Sequence, residues 1–142
     1  MEKKQTLIYS LDEIDVAVEL LKDLMSKCSV FTFSGPLGAG KTTLIRALLR
    51  SCDVTSTITS PTFTYMNIYQ NKSGHKFYHF DLYRISSIEE FVSQGFNEYF
   101  YQPDSSVFIE WPEIIESLLS KQVCKVTIDY ENDKRKLNYI FS

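Results

Sequence analysis

At 142 residues the chain has room for one domain with a substantial core and not for two. Its 44% hydrophobic and 23% charged content is that of an ordinary globular protein, and its net charge of −3 argues against a chain that grips nucleic acid unaided. Met1-Glu2-Lys3-Lys4 lacks the apolar run of a signal peptide and no stretch reaches transmembrane length, so a cytoplasmic location without membrane contact is expected.

Cys28, Cys52 and Cys124 are far apart and form no C-x-x-C pair, which indicates neither a disulfide framework nor a zinc site. They read as small buried hydrophobes in a reducing compartment. The one short basic run, Lys134-Arg135-Lys136, is flanked by Glu131 and Asp133. Any RNA is therefore expected to be held by a partner.

In chain order, Ser10-Leu11-Asp12-Glu13 reads as a capping box opening a helix, in which Glu13 reaches back to the serine. That helix presents Ile14, Ala17, Val18, Leu21, Leu24 and Met25 on one face. Val30-Phe31-Thr32-Phe33-Ser34 follows as a buried strand. Next comes Gly35-Pro36-Leu37-Gly38-Ala39-Gly40-Lys41-Thr42, which fits the phosphate-binding pattern G-x-x-x-x-G-K-[ST]. A helix over residues 43–50 carries Leu44, Ile45, Leu48 and Leu49 at helical spacing.

Strand, glycine loop and helix supply the context this chemistry needs. The glycines let backbone N–H groups approach and point at an anion, and the helix N-terminus adds a favourable dipole. Lys41 offers a charge to the β- and γ-phosphates, and the Thr42 hydroxyl is placed to ligate Mg²⁺. The loop is expected to bind a nucleoside triphosphate.

Residues 53–60 are polar and read as a loop closing on Ser60-Pro61-Thr62-Phe63. Two readings stay open there: a strand-entry proline, or a switch segment that brings Thr62 towards Mg²⁺. Residues 63–69 and 75–83 read as strands joined by a turn at Asn71-Lys72-Ser73-Gly74. In the second strand Phe80 and Leu82 point one way, and His79, Asp81 and Tyr83 the other. His79 is compatible with a structural or a direct role. Asp81 sits among large apolar residues and needs a partner, either a nucleotide-bound metal or Arg84.

A cap at Ser86-Ser87-Ile88-Glu89-Glu90 opens one or two short helices over residues 89–101, interrupted at Gly95. Ser106-Val107-Phe108-Ile109-Glu110 then reads as a strand beside the phosphate-loop strand. Ligands collect at the carboxyl ends of such strands, so Glu110 meets Mg²⁺ or is a plain strand-end acid facing solvent. Trp111 is a core anchor or a cover over the nucleotide. A short helix after Pro112 carries Ile114, Ile115, Leu118 and Leu119. Residues 123–130 and 136–141, with a turn at Asn132-Asp133, form a β-hairpin.

Four motifs in order now carry a resemblance across essentially the whole chain. Leu37-Gly38-Ala39-Gly40-Lys41-Thr42-Thr43, Ser60-Pro61-Thr62-Phe63, His79-Phe80-Asp81-Leu82-Tyr83-Arg84 and Ile109-Glu110-Trp111-Pro112-Glu113 resemble the TsaE family. These are small bacterial ATPases of the threonylcarbamoyladenosine tRNA modification pathway. The resemblance implies an α/β fold: a single P-loop NTPase-like domain over residues 1–142, with a mixed β-sheet flanked by helices and with β-hairpins. It implies ATP/ADP and Mg²⁺ as ligands, slow ATP hydrolysis, and the TsaB–TsaD pair as partner, with tRNA reached through that pair. The ATP cycle would reset the pair between rounds of transfer.

By residue, the resemblance carries ATP binding to Gly38, Ala39, Gly40, Lys41, Thr42 and Thr43. Metal-site positions match Thr42 and Glu110, and the acid needed for hydrolysis matches Asp81. Trp111 matches the aromatic beside the nucleotide, Thr62 the switch segment, and Arg135 a position near the base. The catalytic set is then Lys41, Asp81 and Glu110.

Pro36 departs from the family, which commonly has an acid there. It removes one backbone donor at the start of the loop, so the cradle itself is expected to survive. A small-molecule kinase is the alternative, but its lid would need several arginines, and Arg46, Arg50, Arg84 and Arg135 are scattered singly. A GTPase would need N-K-x-D and D-x-x-G, and neither string occurs.

Overall fold

Val30–Ser34 is buried along nearly its whole length, as a strand covered on both faces requires, and it lies at the middle of the sheet. The computed structural model describes residues 4–54 and 65–141. Its strands are β1 (Gln5–Tyr9), β2 (Val30–Ser34), β3 (Met66–Gln70), β4 (Lys76–Asp81), β5 (Ser105–Glu110), β6 (Val123–Glu131) and β7 (Lys134–Phe141). The helices are α1 (Ile14–Leu24), α2 (Lys41–Ser51) and α3 (Ile88–Ser93).

One seven-stranded sheet has the order β1-β7-β6-β2-β5-β4-β3. β2 pairs in parallel with both β5 and β6, and β4 pairs in parallel with β5. The β1–β7, β6–β7 and β3–β4 pairs are antiparallel. The sheet is therefore mixed and carries the two expected hairpins.

Period-two alternation sends the side chains of the central strands into two cores. On one face Phe31, Phe33, Phe77 and Phe108 pack with Leu21 of α1 and Leu44, Ile45 and Leu48 of α2. On the other face Val30, Tyr78, Phe80, Val107 and Ile109 pack with Phe91 of α3 and with Phe96. β6 buries Cys124, Val126 and Ile128 while Lys125, Thr127 and Asp129 are exposed, so this antiparallel flank is covered on one side only.

Local sequence explains the element ends. Glu13 Oε1 accepts the Ser10 backbone N–H at 3.1 Å, as the capping box requires, although the first turn is a 3-10 turn. Ser87 Oγ accepts the Glu90 N–H at 3.0 Å and starts α3. Gly95, at φ 76°, separates α3 from a 3-10 turn over Phe96–Tyr99. The segment after Pro112 is also 3-10, over Glu113–Leu118.

β1 was not anticipated from sequence. It closes the edge by pairing with the last strand, Leu7 opposite Leu137. Ser60, Pro61, Thr62 and Phe63 lie outside the described residues, so the switch-segment expectation lies there too. Among the described residues no helix is long and apolar enough to cross a membrane.

Candidate functional site

The glycine loop leaves the carboxyl end of β2 and enters α2 at Lys41, with Gly40 as the cap residue at φ 103°. Gly35 has no substitute. A Cβ there would lie 2.1 Å from the Ile128 carbonyl oxygen, because the loop crosses directly against β6. The Ala39 N–H turns back to the Pro36 carbonyl at 3.2 Å, so proline at that position leaves the loop closed.

The β6–β7 hairpin braces the loop from behind. Arg135 Nε donates to the Ala39 carbonyl at 2.9 Å, and its guanidinium lies 4.7 Å from the Tyr130 ring centroid. The Tyr130 hydroxyl reaches the Leu37 carbonyl at 3.5 Å. Arg135 therefore meets the loop at Ala39, which is itself fully buried.

In front of the loop lies a cleft of about 260 Å³, lined by Gly38, Gly40, Lys41, Thr42, Thr43, Asp81, Glu110 and Trp111, with Leu37 and Tyr83 at its edge. Eight of the residues expected from sequence thus line this cleft, and Ala39 and Arg135 do not. The parallel register brings the acids there: Asp81 pairs with Glu110 across β4 and β5, and Phe33 of β2 pairs with Glu110 from the other side. All three strands end at the same level, where α2 begins.

Lys41 is buried to 4% exposure. Its ammonium donates to the Gly35 carbonyl and sits 3.5 Å from the Trp111 ring centroid, a contact that contributes roughly 2 kcal/mol when desolvated. Burial pushes the Lys41 pKa down, and Glu110, Glu113 and Asp81 oppose that shift. An arriving phosphate would oppose it further, so the site gains by binding an anion.

Trp111 has φ 58°, a backbone state that costs a bulky residue about 1–3 kcal/mol and tends to occur at functional sites. Its N–H bonds the Phe33 carbonyl at 3.3 Å and its ring tilts against Tyr83 at 5.0 Å. It is half-buried beside the cleft, packed against the second core and facing Lys41. The core-anchor reading thus describes part of its position, and the rest of the ring lines the cleft.

Glu110 is the centre of the polar network. The Thr42 hydroxyl donates to Glu110 Oε1 at 2.6 Å, and His79 Nε2 meets Glu110 Oε2 at 2.6 Å. Glu110 is 2% exposed, which removes the solvent-facing alternative. Asp81 accepts the Tyr83 N–H at 3.1 Å and, among the described residues, forms no ion pair with Arg84. Burial raises the Asp81 pKa, the Tyr83 hydrogen bond lowers it, and the nearby Glu110 charge raises it.

Among the described residues no group of three or more His, Cys, Asp or Glu side chains is arranged as a metal cage. A hydroxyl and a carboxylate already in contact are nonetheless the hard oxygen donors that suit magnesium, which takes few protein ligands when phosphates supply others. Sequence reasoning missed Leu37 and Tyr83 at the cleft, the Tyr130 brace, and the His79–Glu110 contact. Only the alternation His79-Phe80-Asp81 hinted at the last.

The model of the threonylcarbamoyl adenosine biosynthesis protein TsaE family matches residues 8–137. The chain belongs to the TsaE family. It is 40% identical to the tRNA threonylcarbamoyladenosine biosynthesis protein TsaE of Haemophilus influenzae, over 85% of this chain and 75% of that protein. The protein of the same name in Rickettsia bellii is 31% identical over 96% of this chain and 94% of its own. Among solved structures, Bacillus subtilis YdiB superposes with a TM-score of 0.75 at 26% identity, covering 99% of this chain and 87% of that one. Nothing in these matches supports the small-molecule kinase alternative. TsaE membership and the mixed sheet agree with the phosphate-loop architecture expected from sequence.

Proposed function

We propose that this TsaE-family chain binds ATP with Mg²⁺ in the cleft between the glycine loop and the ends of β4 and β5. It hydrolyses the ATP slowly to ADP as the ATPase component of the threonylcarbamoyladenosine machinery. The observation that carries the reading is the Thr42–Glu110 hydrogen bond, which ties the first turn of α2 to a strand-end acid beside Lys41.

Gly38, Gly40 and Thr43 hold the phosphates through backbone and hydroxyl donors, while Ala39, its N–H turned to the Pro36 carbonyl, keeps the loop closed between them. Lys41 neutralises charge on the transferring phosphoryl group, and Trp111 shields that lysine from water. Thr42 and Glu110 would hold magnesium, which would supply neutralisation of the phosphate charge when bound.

Glu110 is engaged by Thr42 and His79 and is the acid that would take the magnesium. Asp81 is therefore the acid that orients the attacking water, and its raised pKa brings it nearer the working range of a base. Thr62 would complete the site from the switch segment. Arg135 acts through the loop, whose Ala39 carbonyl it holds. No arginine lines the cleft among the described residues. Intrinsic turnover is accordingly slow, since an arginine finger can be worth ~10³–10⁵ in rate.

The working partner is the TsaB–TsaD pair, with tRNA held by that pair, in the cytoplasm. The test is ATP turnover with and without the purified pair. Slow turnover alone and acceleration with the pair are expected. Turnover indifferent to the pair removes the partner assignment, and absent turnover in both conditions removes the ATPase.

A further inference from the structure

We propose that His79 is a positioning residue: its imidazole, seated in the sheet beneath the cleft, fixes the Glu110 carboxylate in the orientation that Thr42 and a magnesium-bound nucleotide need. The inference deepens the function proposed above and rests on it.

The geometry is a chain of two short bonds through one carboxylate. Glu110 Oε1 accepts from Thr42 and Oε2 meets His79 Nε2, both at 2.6 Å. Losing the His79 bond leaves the carboxylate held at one oxygen only. Register explains the approach. Asp81 stands directly across from Glu110, so His79, two residues earlier on the same face of β4, reaches it diagonally. An ionised carboxylate only accepts, so Nε2 is the donor of this bond and Nδ1 is left over.

That second nitrogen is the informative one. His79 is fully buried, and Nδ1 has no hydrogen-bond partner among the described residues. A residue kept there for packing would be apolar, as Phe77 is two positions earlier on the same face. Burying a ring nitrogen without a partner is unfavourable, and what the histidine adds over phenylalanine is the bond to Glu110. Outer partners of this kind set the orientation and basicity of metal-binding side chains.

The test measures ATP affinity with magnesium and with EDTA for the parent, His79→Asn and His79→Gln, each checked for cooperative thermal unfolding. An asparagine amide falls near the place of Nδ1 and stops short of Glu110, whereas a glutamine amide extends to the place of Nε2. His79→Asn is expected to lose ~10–100-fold of the magnesium-dependent gain in affinity while magnesium-free affinity stays within about twofold, and His79→Gln to restore most of the gain. Equal loss in both variants, or loss in neither, overturns the positioning role. A parent that shows no magnesium-dependent gain overturns the proposed function and this inference with it. Should His79→Asn fail to fold, side-chain ¹⁵N spectra of the parent decide: a protonated Nε2 supports the bond, and a bare Nε2 overturns it.

Discussion

β4 and β5 present two faces that diverge along the same few residues. On one face Tyr78, Phe80 and Leu82 and their neighbours Val107 and Ile109 stay apolar to the strand ends. On the other the series runs Phe77, His79, Asp81 on β4 and Phe108, Glu110 on β5, changing from apolar to charged towards the carboxyl ends. The charged ends lie under the N-terminus of α2, where donors and a dipole already favour negative charge. The apolar ends lie under Phe91, Phe96 and Phe100, whose rings surround Phe80 at 5.5–6.1 Å. Alternation thus lets one strand anchor the fold with one set of residues and build a site with the next.

That division can be broken from the apolar side first. Phe80→Ala is expected to cost about 3–5 kcal/mol of stability by leaving a cavity among aromatic rings, with nucleotide affinity per folded molecule unchanged. Urea unfolding and calorimetric titration would show both, and a loss of affinity in folded protein would contradict the separation of the faces.

From the cleft side, Lys41→Ala is expected to lower turnover by on the order of 10²–10³ while the fold persists. Wild-type turnover would remove Lys41 from the site. Asp81→Asn should keep ATP binding and lose about 10²-fold in turnover. It should also change how stability varies with pH. The raised Asp81 pKa means the folded state binds that proton more tightly, so stability falls as pH rises from the ordinary aspartate value through the raised one. Asparagine abolishes that fall, so denaturation midpoints above this window should rise relative to the parent. A lower midpoint at neutral pH would show Asp81 to be structural.

The smallest effect concerns the apolar part of the site-bearing face. Burial pushes the Cys124 thiol up to about 12, so iodoacetamide at pH 8 should label it only as fast as the protein opens. Peptide mapping that finds rapid native labelling would contradict the packing of β6 against β2.

Much of this arrangement was legible in the sequence because its signals are local. The loop pattern, the alternation through Asp81, the capping serines and the turn at Asn132-Asp133 each sit within a few residues, and each led to the observed element. What was hidden depends on register between distant strands. β1 is five residues long and gains its place from β7, more than a hundred residues on. Tyr130 and Arg135 reach the loop from the last hairpin, and His79 meets Glu110 only because β4 and β5 are in one parallel register. Periodicity says which face a residue takes, and not which residue of another strand stands opposite it.

The central claim is that loop donors, Lys41 and the Thr42–Glu110 pair together hold a magnesium-bound triphosphate. Calorimetric titration of the folded chain with ATP, with magnesium and again with EDTA, tests it most directly. Saturable binding that magnesium strengthens, and that Lys41→Ala weakens at least tenfold, is the expected result. Well-folded protein that takes up no ATP in either buffer would contradict it.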